Sequence, residues 1–275
     1  MIQSMTNGND AITPASRRED QAIIDQRAEA WKSRPLLRDV YHEYFDRMRR
    51  HFAPGPSVTK PYGVILEVGG GSGHFRSFYP DMIVTDILPT PHINLAADAM
   101  HLPFRDQSVN NIVMQDVLHH IPLPLRFFSE AQRVLQSGGR VIMTEPFISP
   151  VSGLCYRLSH PEPVDMDAPL FKSQSNPIGE DPVAVIGSGA FASNQAIPTL
   201  LFFRYQRLFE RRFPQLTVVH REVHSTMVYP LSGGFSKPVL LPRFAAPAAK
   251  MLERMLSPLA RWMAFRTLIV VEKAP

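Results

Sequence analysis

The chain has 275 residues but a single cysteine, Cys155, and only two tryptophans. No apolar run reaches the roughly 18 to 20 residues a membrane-crossing helix needs, because Pro, Lys or Arg cuts every candidate. One cysteine cannot form an internal disulfide or supply a multi-cysteine zinc site. The first residues, MIQSMTNGNDAITPASRRED, have no apolar centre of the kind a signal peptide carries, so a reducing cytoplasmic compartment is the expectation. Disorder and collagen are excluded by what is present: 44% hydrophobic and 20% charged residues, enough to bury a substantial core. The net charge of +4 hides an asymmetry. Residues 61–200 hold seven Lys and Arg against thirteen Asp and Glu, whereas residues 201–275 hold twelve against four. The basic character therefore belongs to the C-terminal quarter, where an anionic partner would meet it.

Residues 1–20 are polar and lack periodicity, as a mobile tail would. Between 21 and 53 apolar residues recur at three- and four-residue steps, which predicts a helical cap of one or two helices broken near Pro35. PGPSVTKPYG then reads as a linker. From about residue 60 to 275, short β-branched runs alternate with other segments, the pattern of a parallel α/β sheet. Strands are predicted at Val64–Val68, Met82–Thr85, Asn111–Gln115, Arg140–Thr144, Leu216–His224 and Arg266–Glu272, with helices at Leu125–Leu135 and Thr199–Arg212. SGG at 137–139 reads as a helix stop followed by a turn. Residues 147–197 are irregular and rich in Pro, Gly, Ser and Asn, which predicts a lid. A second, amphipathic insertion is expected at 230–264.

The segment VILEVGGGSGHF (64–75) carries most information, since an apolar strand runs straight into four glycines. Glycine there permits a tight turn and close approach of a ligand to the backbone. A dinucleotide fingerprint needs a third glycine where this chain has His74 or Arg76, and a P-loop would end in Gly-Lys-Ser/Thr, which is missing. Nicotinamide, flavin and ATP-type binding are disfavoured.

Glu67, Gly69, Gly71 and Gly73 match the first motif, E/D-x-G-x-G-x-G, of class I S-adenosylmethionine-dependent methyltransferases, and the chain resembles that family over residues 65–146. Asp86 closes the second strand, AADAMHLPF supplies Asp98, Ala99 and Met100, NNIVMQDVLHHI forms the fourth strand with Gln115, and Glu130, Arg133, Gly138 and Gly139 follow in order. The resemblance implies S-adenosylmethionine as cofactor, with Asp86 on the ribose hydroxyls, Asp98–Met100 beside the adenine and Glu67 beneath the glycine loop as much as against the ligand. It also implies an α/β, Rossmann-like, doubly wound seven-stranded sheet whose last strand is antiparallel. Two departures stand out. Only about six residues remain for the first helix, and Ile87–Asn94, with Pro89 and Pro91, cannot hold the helix that usually joins strands two and three.

For the acceptor, His119 and His120 follow the fourth strand and are candidate general bases. His160, with Glu162, Asp165 and Asp167, offers a second set, and Asn194 and Gln195 a third. Glu145 borders the same region, and Tyr156, Phe171 and Phe191 are candidates to line an apolar pocket. Ligand spacing names no metal site. The expected reaction is methyl transfer to a small-molecule, sugar or lipid-linked acceptor. The rivals are a non-catalytic scaffold that has kept the fold and a nucleic-acid methyltransferase. Against the latter, no Asn-Pro-Pro-Tyr motif follows the fourth strand. On a helical wheel over 248–265, Leu252, Met255, Leu256, Leu259, Trp262 and Met263 share one face, with Lys250, Arg254 and Arg261 largely away from it. Such a face packs on the sheet, forms a dimer contact, or rests on an anionic membrane from the cytoplasmic side; the oligomeric state stays open.

Overall fold

The computed structural model describes residues 14–171 and 182–275. In chain order the elements are α1 (Pro14–Ser33), α2 (Pro35–Arg49), β1 (Ile65–Val68), α3 (His74–Phe78), β2 (Ile83–Asp86), β3 (Leu95–Ala96), β4 (Val109–Gln115), α4 (Pro124–Val134), β5 (Leu135–Pro146) and α5 (Pro150–Ser159). There follow α6 (Ile197–Thr199), which runs on as a π-turn at Leu200–Arg204, α7 (Gln206–Arg212), β6 (Leu216–His224), α8 (Val228–Leu231), α9 (Ala246–Met255), α10 (Ala260–Met263) and β7 (Arg266–Lys273). The seven strands lie in the order β3-β2-β1-β4-β5-β7-β6. Strands β1 to β5 pair in parallel, while β7 runs antiparallel to both of its neighbours, as the resemblance implies.

The strands were legible because they are buried on both faces. β1 is buried at every position and β4 at all but its last, and continuous apolar runs are what a sheet covered on both sides requires. On one face pack Phe127, Phe128, Ala131 and Val134 of α4, Phe202 of the π-turn, and Phe209 of α7. On the other lie Leu37, Val40, Tyr44, Phe45 and Met48 of α2 with Phe75 of α3.

α2 is therefore a layer of the domain rather than a cap beside it. It packs over β5 beside α3 and α8, and the departures noted in the sequence hold: α3 has five residues and no helix joins β2 to β3. Pro35 turns the chain between α1 and α2, forcing Arg34 out of helical geometry (φ −116, ψ 86). Arg38 then donates to the carbonyls of Trp31 and Lys32 at the end of α1.

Four expectations are corrected. The expected tail at 1–20 is helical from Pro14 onward, and residues 1–13 lie outside the described residues. The lid region contains a helix, α5, started by a capping box in which Ser149 Oγ accepts from the N–H of Ser152 and Ser152 Oγ accepts from that of Ser149. Residues 172–181 of that region lie outside the described residues. The helix expected at Thr199–Arg212 is broken by the π-turn, and Ser137-Gly138-Gly139 falls inside β5 beside an irregularity in the β4–β5 register. Fourth, the apolar face of α9 and α10 is not packed on the sheet: Met255 is 69% and Trp262 63% exposed, joined by Leu252 and Leu259 and by Leu154 and Leu158 on neighbouring α5. No described helix is long and apolar enough to cross a membrane.

Candidate functional site

At the carboxyl end of β1 the chain turns through Gly69 (φ +75), and the N–H groups of Gly69 and Gly70 both donate to the carbonyl of Thr85 on β2. A Cβ on Gly69 would lie 2.3 Å from Val117, so only glycine fits both the space and the left-handed backbone. Gly73 (φ +69) opens α3. Asp86 meets the loop from the end of β2, its two carboxylate oxygens accepting from the N–H groups of Gly71 (2.8 Å) and Leu88 (2.9 Å). Burial raises its pKa. Glu67 is buried beneath the loop, with Oε2 unpartnered, and burial followed by the charge of Asp86 pushes its pKa up to about 8. Asp98 closes the turn that carries Ala99 and Met100, accepting from the N–H of Met100 (2.8 Å) and from His101 Nδ1 (3.1 Å). Gln115 donates to Asp116 (2.9 Å) and leaves its Oε1 buried without a partner.

One cavity of about 740 Å³ runs from Glu67, Gly69, Gly70 and His74 to His119, His160 and Glu162. Gly71, Gly73, Asp86, Asp98, Ala99, Met100 and His120 do not line it.

The three histidines selected from the sequence come together around Glu162. Glu145 at the end of β5 accepts from the N–H groups of Val117 (2.9 Å) and Leu118 (2.8 Å) and from His119 Nδ1 (2.7 Å). His119 Nε2 lies 3.3 Å from Glu162, and His120 Nε2 3.8 Å from it. Burial opposes a charge on His119, but its hydrogen bonds to Glu145 and Glu162 push it up to about 9. Burial and the neighbouring His119 charge lower His120 to about 3. Burial would raise Glu162, yet the His119 hydrogen bond and charge hold it well below the usual carboxylate range. His160 accepts at Nδ1 from the N–H of Glu162 (3.2 Å) and from Gln195 (3.2 Å), and burial lowers its pKa. Asp165 and Asp167 do not join: Asp165 caps the N–H of Asp167 (2.9 Å), and Asn194 holds that loop through its backbone.

Tyr156, Phe191 and Gln195, also selected from the sequence, line the cavity, whereas Phe171 and Asn194 do not; other wall residues were not selected. Arg266, the first residue of β7, is buried against Asp116, and its guanidinium lies over the rings of Tyr229 (4.9 Å) and Tyr44 (5.9 Å). Burial would raise Asp116, but Arg266 holds it below its ordinary value. Tyr41 of α2 donates to the same carboxylate (2.8 Å). Asp116 itself sits at φ +60, an uncommon conformation for a side-chain-bearing residue and a signal of a constrained position. Near the glycine loop His74 is stacked between Trp31 of α1 (4.0 Å) and Phe235 (5.7 Å), and burial lowers its pKa to about 3. These contacts join residues as far apart in the sequence as Tyr44 and Arg266, and no local motif announces them.

Residues 66–143 match a family model described as a methyltransferase domain. A protein of Mycobacterium tuberculosis named an uncharacterized methyltransferase is 30% identical over 169 residues, which is 50% of this chain and 66% of that protein. Another, from Mycobacterium leprae, is 28% identical over 114 residues, 35% of this chain and 42% of its own length. The matched part is thus just under two thirds of the first relative. Among solved structures, an S-adenosylmethionine-dependent methyltransferase from Thermotoga maritima, described as a possible histamine N-methyltransferase, superposes with a TM-score of 0.51 at 15% identity. It covers 92% of this chain and 99% of that one, a likeness of fold. The strand order 3-2-1-4-5-7-6 is that of the class I S-adenosylmethionine-dependent methyltransferase fold, and with the glycine turn after β1 and the acidic residues at the end of β2 and after β3 the chain is similar to that family.

Proposed function

We propose that this protein transfers the methyl group of S-adenosylmethionine to a small or lipid-linked acceptor held in the half of the cavity lined by His119, Glu162 and Arg266. The observation that carries this reading is the continuity of the cavity, which joins the glycine turn to the His–Glu cluster. The residues fit the cofactor. Each Asp86 oxygen keeps a lone pair for a ribose hydroxyl, and the buried Gln115 Oε1 lacks a partner. The resemblance assigns Asp98, Ala99 and Met100 to the adenine, although they do not line the cavity. When bound, the cofactor supplies a methyl carbon activated by a positively charged sulfur. The acidic balance of residues 61–200 suits that charge.

Positioning supplies most of the rate in such a transfer. His119 is already protonated between Glu145 and Glu162, so the proton of an acceptor hydroxyl or amine passes to His160, which lines the cavity and is kept neutral by burial, while Arg266 with its tyrosines orients the acceptor. An apolar acceptor is favoured by one feature: Leu240 is exposed and also lines the cavity, and α5 lends Cys155, Tyr156 and Ser159 to the cavity while presenting Leu154 and Leu158 to solvent.

Calorimetric titration with S-adenosylmethionine, followed by a screen for products heavier by one methyl group, tests the assignment. Asp86→Ala should weaken cofactor binding about 10- to 150-fold, the worth of one charge-assisted hydrogen-bonding group. Gly71→Val should weaken it comparably, since even a Cβ there lies 2.8 Å from Asp86. Near-normal affinity in both variants would remove the cofactor from this site, and tight binding without any methylated product would favour the scaffold reading.

A further inference from the structure

The lone pairs of the His–Glu cluster point at one another. His119 Nδ1–H donates to Glu145, whose carboxylate already accepts from two backbone N–H groups. His120 Nδ1–H donates to the carbonyl of Ala192 (3.1 Å). Both rings are thereby fixed with Nε2 directed at Glu162, and the Nε2 of His120 is buried without a hydrogen-bond partner. One ligand atom from each of His119, His120 and Glu162 lies within 4.8 Å of the others. A proton can satisfy the His119–Glu162 contact, but it leaves His120 Nε2 unmatched.

We propose that His119, His120 and Glu162 form a site for a first-row divalent ion of the Zn²⁺ type, with an open coordination position where the acceptor's oxygen or nitrogen binds. Three protein ligands, two imidazoles and one carboxylate, form the set that catalytic zinc sites use. A tetrahedral ion bound about 2.0–2.1 Å from each ligand holds them roughly 3.3 Å apart; here His119 Nε2 lies 3.3 Å from Glu162 Oε2, His120 Nε2 lies 3.8 Å from Oε1, and one atom of each residue falls within 4.8 Å of the others, so a small side-chain adjustment brings the set to that spacing. The outer contacts agree as well. Histidines that bind metal generally donate their second N–H to a carboxylate or a backbone carbonyl, and here one does each. Two nitrogen ligands disfavour Mg²⁺ and Ca²⁺, which take oxygen. Glu162 is also held by Gln195 (2.5 Å) and faces Arg27 of α1 at 3.7 Å, so the ion enters a pre-oriented carboxylate in competition with one guanidinium. Bound there, the ion would act as a Lewis acid on an acceptor hydroxyl: the hydroxyl proton passes to His160, and the oxygen's electron pair takes the methyl carbon as the carbon–sulfur bond breaks and the neutral thioether leaves. The chemical role rests on the proposed methyl transfer; ion binding itself does not.

The full chain, freed of metal with a chelator, is titrated with Co²⁺ without cofactor or acceptor. The expected result is one equivalent bound with the intense visible absorption of tetrahedral Co²⁺, displaced by Zn²⁺. Glu162→Gln and His120→Ala should each weaken binding at least tenfold, whereas Asp165→Asn, on the outward-turned loop, should not. Zn²⁺ should raise the unfolding temperature of wild type but not of Glu162→Gln; that variant, equal in size to the parent, decides the matter if His120→Ala fails to fold. Absence of the visible bands, or binding unchanged in Glu162→Gln, overturns the site. S-adenosylmethionine titration of the same metal-free sample separates the two readings: retained cofactor binding without metal binding defeats only the metal site, and the converse defeats only the cofactor assignment.

Discussion

Glu67 shows how one side chain ties the glycine turn to the stability of the whole. Its carboxyl is sealed under Gly70, where a Cβ would lie 2.8 Å from Oε2, and its pKa rises from 4.5 in the exposed acid to about 8. The folded state thus retains a proton that the unfolded state gives up. The stability contributed by this group is complete below about pH 4.5 and is lost as the pH rises through about 8. Glu67→Gln removes that titration at nearly constant volume. Chemical unfolding across this interval should show wild type declining by on the order of 2–4 kcal/mol relative to the variant; parallel curves would refute the buried, protonated state. At this scale the sequence was readable where a residue is constrained by its immediate neighbours. Gly69 and Gly73 adopt the left-handed backbone that their spacing implies, and Glu67 lies under the loop. Glu162 could be named as a polar residue of the lid, but not as the point on which His119, His120 and His160 converge. Arg266 carried no signal, because its partners Asp116, Tyr44 and Tyr229 reach it from three other elements.

Among the elements, those with two buried faces were the easiest to recognise and those with one half-apolar turn the hardest. β4 and β7 are buried at nearly every position around the apolar runs 112–114 and 268–271, and α4 carries buried residues at helical spacing. α5 was hidden by Pro150, Gly153 and three serines, residues usual in loops, although Ser149, Pro150 and Ser152 also spell a helix start when read as N-cap, first turn and capping box. The cap supports function as well as the helix, since Cys155, Tyr156 and Ser159 of α5 line the cavity and Tyr156 donates to the carbonyl of Phe265 (2.9 Å). Ser149→Ala should cost about 1 kcal/mol, and hydrogen exchange should quicken in α5 before it quickens in the sheet. A uniform rise across all elements would show that the cap serves the global fold rather than this helix. α2 illustrates the opposite failure. Its amphipathic pattern was evident, but nothing local told that its apolar side packs over β5 beside α3 and α8.

On the scale of the molecule, the exposed face of α9, α10 and α5 carries Arg157, Arg254 and Arg261, and α5 also lines the cavity through Cys155, Tyr156 and Ser159. Under the lipid-linked reading proposed above, apolar burial at a headgroup boundary and attraction of basic side chains to anionic lipid, about 1 kcal/mol for each nearby cation, would hold this face on a membrane surface. The protein should co-float with anionic vesicles at low salt, less at high salt, and less again as Arg254→Glu, Arg261→Glu. If wild type stays with the free protein at low salt, the face belongs to a dimer, and its mass in solution should say so.

The position of β7 has a consequence in time. Arg140 pairs with Glu272, and Leu216 with Lys273, so the strand that completes the sheet lies between two strands formed from much earlier sequence. Pairings of such long range close late, because the loop entropy must be overcome before they are rewarded. Arg266 begins this strand and anchors Asp116 at the cavity wall. During refolding, helical content and much of the parallel sheet can therefore be regained while the binding wall is still unmade, and competence to hold a ligand marks the last event of folding rather than its middle.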